Sequence, residues 1–253
     1  MDKVKHIVQF SGGKDSTCML LMMLEKGMLV DEIIFCDTGM EFPQMYEHID
    51  KVEQYIGRKI TRLKAKNSFE YMMFEWVRTK GKRIGEKGYG WPTMQNRWCT
   101  QHFKISLSDR YYKAQKNILK YIGIAADEPK RHMNIPANVK HPLFDWGITE
   151  KMALQTCYKH GFTWGGLYDK FRRVSCWCCP LQPLSELRIL YHDFPELWEQ
   201  LKAMDKKSIE LFGSYLIVCK FRADYSVQDL EEKFQREDYI KKISIPLFND
   251  QVS

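Results

Sequence analysis

His6-Ile7-Val8-Gln9-Phe10 runs directly into Ser11-Gly12-Gly13-Lys14-Asp15-Ser16, and Thr17 to Lys26 follows as a largely apolar helical run. This strand, turn and helix decide the fold. A glycine-rich turn between a strand and a helix points several backbone N–H groups at one spot. The positive end of the helix dipole points there too, so the turn suits a phosphate. Gly12 and Gly13 let the backbone approach an anion with no Cβ in the way. Lys14 adds a point charge, and Ser11 and Ser16 add hydroxyl donors. The spacing departs from the common G-x-x-x-x-G-K-[ST] loop, because a single glycine pair precedes the lysine and an aspartate follows it.

A second strand supports an α/β architecture. Glu32-Ile33-Ile34-Phe35-Cys36 is an unbroken apolar run of strand length, as expected of a parallel strand buried on both faces. It ends in Asp37-Thr38-Gly39. Ligands of doubly wound sheets sit at the carboxyl ends of strands. Asp37 is therefore expected close to the first loop, where an acidic group meets a ribose or a metal-bound phosphate. Taken alone, an aspartate before glycine also suits a plain turn.

Composition sets outer limits. A chain of 253 residues accommodates one large domain plus a small appendage, and a hydrophobic content of 44% supports a core. Lys and Arg total 39 against 32 Asp and Glu, a net charge of +7 that suits an anionic partner such as a nucleotide or a nucleic acid. Met1-Asp2-Lys3-Val4-Lys5 leads straight into a globular strand, with no visible signal peptide. The apolar run Cys18 to Leu24 is too short to cross a bilayer. A cytoplasmic setting without membrane association is the expectation.

Eight cysteines in such a setting argue for metal or thiol chemistry over disulfides. Cys18 and Cys36, in the first helix and second strand, read as small buried hydrophobes, and so does Cys219 in Tyr215-Leu216-Ile217-Val218-Cys219. Cys157 lies in a helical segment and fits either role. Cys176-Trp177-Cys178-Cys179-Pro180 is different: Cys176 and Cys179 form a C-x-x-C pair, a spacing that lets two thiolates share one metal centre, with Cys178 between them. A centre of this kind usually takes four ligands, and Cys99 is the best distant partner.

Strands are expected near 5–10, 32–37, 59–64 and 117–124, and helices near 15–26, 43–56, 68–80, 103–114 and 149–160, with Thr149 as an N-cap. That alternation implies a doubly wound, mostly parallel sheet covered on both faces. Gly81 to Gly90 reads as a basic loop. After Pro180 the pattern is helical over 184–191 and 195–212, and Ser226 with Asp229 marks the start of a last helix. The expected division is a nucleotide-binding domain over 1–182, including the cysteine site, and a helical extension over 183–253.

Ser11-Gly12-Gly13-Lys14-Asp15-Ser16 resembles the PP-loop of the ATP pyrophosphatase superfamily, whose fold is adenine nucleotide alpha hydrolase-like. Asp37-Thr38-Gly39-Met40-Glu41-Phe42-Pro43 resembles the D-T-G-x-E-F-P stretch of its phosphoadenosine phosphosulfate (PAPS) reductase branch. Gly123-Ile124 through Glu128 to Arg131 is similar to a family stretch that follows a sheet strand and faces the nucleotide, and Pro142-Leu143-Phe144-Asp145-Trp146 to a family packing turn. The resemblance runs over residues 5 to 182 with the motifs in order. It implies an adenine nucleotide, ATP or a relative, bound with Mg²⁺ by Ser11, Gly12, Gly13, Lys14, Asp15, Ser16, Asp37 and Thr38. Gly123 would permit close backbone approach, and Arg131 would pair with a phosphate or sulfate. Lys14, Asp15 and Asp37 are the implied catalytic residues.

The iron–sulfur members of the branch hold a [4Fe–4S] cluster with an early Cys-Cys pair and a later C-x-x-C pair. Here Trp98 stands in place of the first early cysteine, which leaves Cys99, Cys176 and Cys179 as matches. The fourth ligand stays open between Cys178 and Cys157; zinc on the same thiolates, with His102, is the alternative. Reductases of this branch also carry a C-terminal cysteine nucleophile, whereas Lys220 to Ser253 contains no cysteine. The favoured expectation is a PP-loop enzyme that adenylylates its substrate with release of pyrophosphate, in sulfur-transfer chemistry. A tRNA or DNA acceptor suits the basic segment Lys170-Phe171-Arg172-Arg173, with a sulfur or thiol donor protein as partner. The alternatives are reduction of adenosine phosphosulfate or PAPS to sulfite, and a zinc-stapled nucleotide or nucleic-acid-binding module without catalysis.

Overall fold

A computed structural model describes residues 3–174, 176–213, 219–222 and 224–244. The chain divides into two compact units, one formed by Met1–Phe69 with Cys99–Trp177, the other by Glu70–Trp98 with Cys178–Ser253. Residues 70–98 group with the C-terminal helices.

The first unit is built on a sheet of five parallel strands in the order β3-β2-β1-β4-β5: β1 (Lys5–Gln9), β2 (Glu32–Asp37), β3 (Thr61–Lys64), β4 (Ile118–Ile122) and β5 (Val139–Lys140). Four of these were expected near these positions. β5 was not, because two residues between a proline-containing turn and a histidine carry no period to read. Chain order runs outward from β1 through β2 to β3 and then crosses to β4 on the other side of β1. The strand order therefore reverses between β1 and β4, and the carboxyl ends of these two strands flank the crevice where such sheets bind ligands.

Helix α1 (Lys14–Glu25) follows β1 at once and buries Cys18, Met19, Leu20, Leu21 and Met23. Helix α2 (Pro43–Ile56) starts on a proline, whose fixed φ suits a first turn, and stops at Gly57 in the left-handed region. Helix α3 (Phe69–Phe74) ends earlier than expected: the N–H groups of Glu75 and Trp76 both donate to the Tyr71 carbonyl, which closes the helix before Val77.

The helix expected at 103–114 begins sooner and changes pitch. After α4 (Trp98–Thr100) the segment Gln101–Ile105 is a π-turn, with the Ser106 N–H reaching back to the Gln101 carbonyl, and α5 (Ser106–Lys113) resumes the ordinary pitch. Such wide turns insert one extra residue and re-aim side chains. The unit also holds α6 (Pro142–Asp145), α7 (Glu150–Lys159) and α8 (Leu167–Lys170). Thr149 caps α7, accepting the Met152 N–H at 3.3 Å as expected.

The second unit packs α9 (Leu184–Asp193), α10 (Pro195–Phe212) and α11 (Val227–Ser244) around Trp91, Trp198, Leu201, Phe221, Leu230 and Phe234. Trp91 meets Phe221 edge to face at 5.0 Å. Ser226 and Asp229 form the expected reciprocal cap: the Ser226 N–H donates to Asp229 at 2.7 Å and the Asp229 N–H to Ser226 Oγ at 3.1 Å. The basic loop is tied into a hairpin-like turn, since Val77 bridges Lys87 and the Arg78 N–H donates to the Glu86 carbonyl. Residues 215–218 of the apolar run before Cys219 lie outside the described residues. No helix among the described residues is long and apolar enough to cross a membrane.

Candidate functional site

The turn from β1 to α1 is built for close approach. Gly12 has φ +79°, and a Cβ there would come within 2.5 Å of Met45 Sδ on α2. Both facts require glycine. Ser16 Oγ accepts the Ser11 N–H at 3.1 Å, lies 3.0 Å from Ser11 Oγ and donates to the Gly13 carbonyl at 3.0 Å, so the two serines close the loop on itself. Beyond β4, a Cβ on Gly123 would lie 2.9 Å from the Asp15 carbonyl carbon and the Ser16 nitrogen. Gly123 is thus required for the end of β4 to pass the first turn of α1. The close approach expected at this residue is to the loop's own backbone.

Lys14 is only 6% exposed. Its Nζ pairs with Glu150 Oε2 at 2.9 Å and lies 3.4 Å from Asp15 Oδ2. Glu150 opens α7, where its own N–H donates to Asp127 Oδ1 at 3.0 Å. Burial pushes the Asp15 carboxyl up to about 6; Lys14 pulls it down, while Glu150 and Glu128 push it up. Asp15 Oδ1 is buried without a hydrogen-bond partner among the described residues.

A segment that sequence reasoning missed holds the loop from the other side. Trp164, Gly165 and Gly166 have φ of 52°, 60° and 82°, three left-handed residues in succession. For tryptophan this conformation is strained. The turn brings Trp164 Nε1 to the Gly12 carbonyl at 2.7 Å and the Tyr168 hydroxyl to the Lys14 N–H at 2.8 Å. Trp164 also stacks on His48 at 4.2 Å, and His48 Nε2 lies 3.0 Å from Thr17 Oγ1. Burial, with Lys51 nearby, pulls His48 down to about 3, so its ring is neutral. The glycine pair after an aromatic residue was the available signal. The contacts themselves span more than 150 residues, beyond any local pattern.

At the carboxyl end of β2, Asp37 is occupied by its own fold. Its Oδ1 accepts the Gly39 N–H at 2.9 Å and the Tyr46 hydroxyl at 2.8 Å, and its Oδ2 pairs with Lys64 at 3.1 Å. Thr38 Oγ1 donates to Glu41 at 2.8 Å and sits 3.6 Å from Cys176 Sγ. The backbone here bridges Glu41 to Cys176, and the Trp177 N–H donates to the Met40 carbonyl at 3.1 Å. Lys104, on the π-turn, belongs to the same corner: desolvation pulls its ammonium down, but Cys176, Glu41, Cys99 and Cys36 outweigh this and raise it.

The cysteines separate by environment. Cys18 is fully buried, as expected, whereas Cys36 is half-exposed with its Sγ 3.8 Å from the Lys104 carbonyl. Cys157 is fully buried beneath the loop, donating to the Lys14 carbonyl at 3.4 Å, and burial with Cys18 nearby drives its thiol far up. It serves as packing for α1. Cys178 is buried, and Cys99, Cys176 and Cys179 are half-buried. His102 is half-buried, with its ring pushed towards the neutral form by burial. Thiolates suit iron or zinc chemically. Among the described residues, however, no three His, Cys, Asp or Glu side chains converge closely enough to hold a metal ion. Arg131 is half-exposed and pairs with Glu128 at 2.6 Å.

The sequence profile of the phosphoadenosine phosphosulfate reductase domain matches residues 5–182. Two uncharacterized proteins of Methanocaldococcus jannaschii are similar, one 27% identical over 221 residues and the other 28% identical over 204. The matches take in 79% and 76% of this chain but 41% and 45% of those proteins, so the chain spans less than half the length of the curated relatives it matches. Among solved structures, the PAPS reductase of Candida auris in its phosphate complex matches with a TM-score of 0.46 at 19% identity, covering 68% of this chain and 81% of that one. With the domain profile spanning well over half its length, the chain belongs to the phosphoadenosine phosphosulfate reductase domain family of the PP-loop superfamily.

Proposed function

We propose that the protein binds ATP at the Ser11–Ser16 loop and transfers the adenylyl group to an acceptor oxygen, releasing pyrophosphate, as the activating step of a sulfur transfer. One observation carries this reading: the loop stands at the amino end of α1, beside the point where strand order reverses, with a buried lysine at its head. Backbone N–H groups and the helix dipole favour the β and γ phosphates there. Lys14 Nζ, now on the Glu150 carboxylate, supplies the cation. In the reaction the acceptor oxygen forms a bond to the α phosphorus, the bond from that phosphorus to the bridging oxygen breaks, and pyrophosphate leaves with the electron pair. Preset donors offset the charge that builds up on it. Asp15, whose carboxyl burial raises to about 6, is suited to take the acceptor's proton.

A polyanionic acceptor such as tRNA or DNA fits the cationic segments Arg78 to Lys87 and Lys170 to Arg173. The reading includes Cys99, Cys176, Cys178 and Cys179 as the sulfur-handling thiols, iron- or zinc-loaded when a metal is present, and no step of the adenylylation runs through them. Incubation with ATP and Mg²⁺ in the presence of bulk tRNA is expected to yield pyrophosphate and adenylylated tRNA, with AMP freed once a sulfur donor displaces it, and Lys14→Ala to lower the rate about 100-fold or more. Sulfite release from PAPS with a thiol donor, without pyrophosphate formation from ATP, overturns the assignment.

A further inference from the structure

We infer that Tyr168 is a phosphate ligand of the nucleotide site, its hydroxyl extending the loop by relaying the Lys14 N–H to a phosphate oxygen. The inference rests on the nucleotide-binding reading of the loop. In a loop of this type the N–H groups at the head of the helix are the donors an anion uses. Here the Lys14 N–H is already spent on Tyr168 Oη, at 2.8 Å. A tyrosine hydroxyl accepts and also donates. Having accepted from Lys14, it retains its own proton, for which no acceptor is present among the described residues. That proton is the only donor Tyr168 can turn towards a ligand on the loop.

Two arrangements are conceivable: the nucleotide displaces Tyr168 to reach the amide, or it binds to the tyrosine. The surroundings favour the second. Tyr168 lies edge-on to Trp164 with ring centroids 4.8 Å apart, and Trp164 is buried, hydrogen-bonded to Gly12 and stacked on His48. The Lys14 ammonium lies 5.6 Å over the tyrosine ring. Gly13 is fitted to the hydroxyl, since a Cβ there would come within 3.2 Å of it. Removing Tyr168 from the loop would undo the strained Trp164–Gly166 turn, whereas donating to a phosphate leaves every one of these contacts in place.

The test is equilibrium binding of pyrophosphate, ATP and adenosine to the full chain and to Tyr168→Phe, which keeps the ring against Trp164. The expected result is about tenfold weaker binding of pyrophosphate and ATP, with adenosine unchanged, the loss of one hydrogen bond to a charged group. Unchanged or tighter pyrophosphate binding overturns the inference, because a tyrosine that merely covers the Lys14 amide gives that result. Failure of the unmodified protein to bind either phosphate ligand overturns the nucleotide reading itself, and the inference with it.

Discussion

Asp15 sits one residue into α1, where burial holds its carboxyl up near 6 from an ordinary value of 3.8. The folded chain therefore binds this proton more tightly than the unfolded chain. The contribution to stability is complete below about pH 4 and is lost as pH rises through about 6. Asp15→Asn removes the ionisation. It is expected to match the parent protein near pH 4 and to exceed its unfolding free energy at pH 7 by on the order of 1–2 kcal/mol. Urea unfolding at both pH values checks this, and a difference that does not change with pH contradicts it. At this scale the sequence is readable where function is local. Ser11 to Ser16 declare themselves because glycine, lysine and serine at fixed spacing have one physical use. Trp164, Tyr168 and Glu150 do not, because each reaches the loop through tertiary contact, and an aromatic ring or a helix-opening glutamate usually has a structural role. Asp37 shows the reverse: its motif is plain, yet its oxygens are taken up by Gly39, Tyr46 and Lys64.

Elements whose termini carry capping chemistry match expectation closely, as Pro43 and Gly57 do for α2 and Thr149 for α7. Elements set by distant packing do not. The π-turn before α5 packs against β2, with the Lys104 carbonyl 3.8 Å from Cys36 Sγ, and no local propensity distinguishes it from a continuous helix. The start of α11 combines both cases. Ser226 and Asp229 were legible, but the Val227 N–H donates at 2.7 Å to Asp205, a buried residue of α10 that also accepts from Trp91 Nε1 at 2.9 Å. Asp205 thereby joins α10, α11 and the Trp91 segment through one carboxylate. Asp205→Ala strands two buried donors and is expected to destabilise the second unit by about 2–4 kcal/mol. Denaturant unfolding followed by tryptophan fluorescence measures the loss; a change below about 0.5 kcal/mol contradicts the role.

The order β3-β2-β1-β4-β5 makes the loop after β1 and the loop after β4 neighbours at one end of the sheet, and Gly123 against Asp15 and Ser16 is where they meet. Alternating strands and helices predicted a parallel sheet but not this order, since order depends on which edge each crossover takes. At the scale of the molecule, the account reduces to a nucleotide whose phosphates sit on the amino end of α1. A crystal structure of the protein with ATP and Mg²⁺ tests this directly. The account predicts phosphate oxygens within hydrogen-bond distance of the Gly12–Ser16 backbone N–H groups and the Tyr168 hydroxyl, with Lys14 Nζ turned from Glu150 to the phosphates. ATP bound elsewhere, with Lys14 still paired to Glu150, contradicts it.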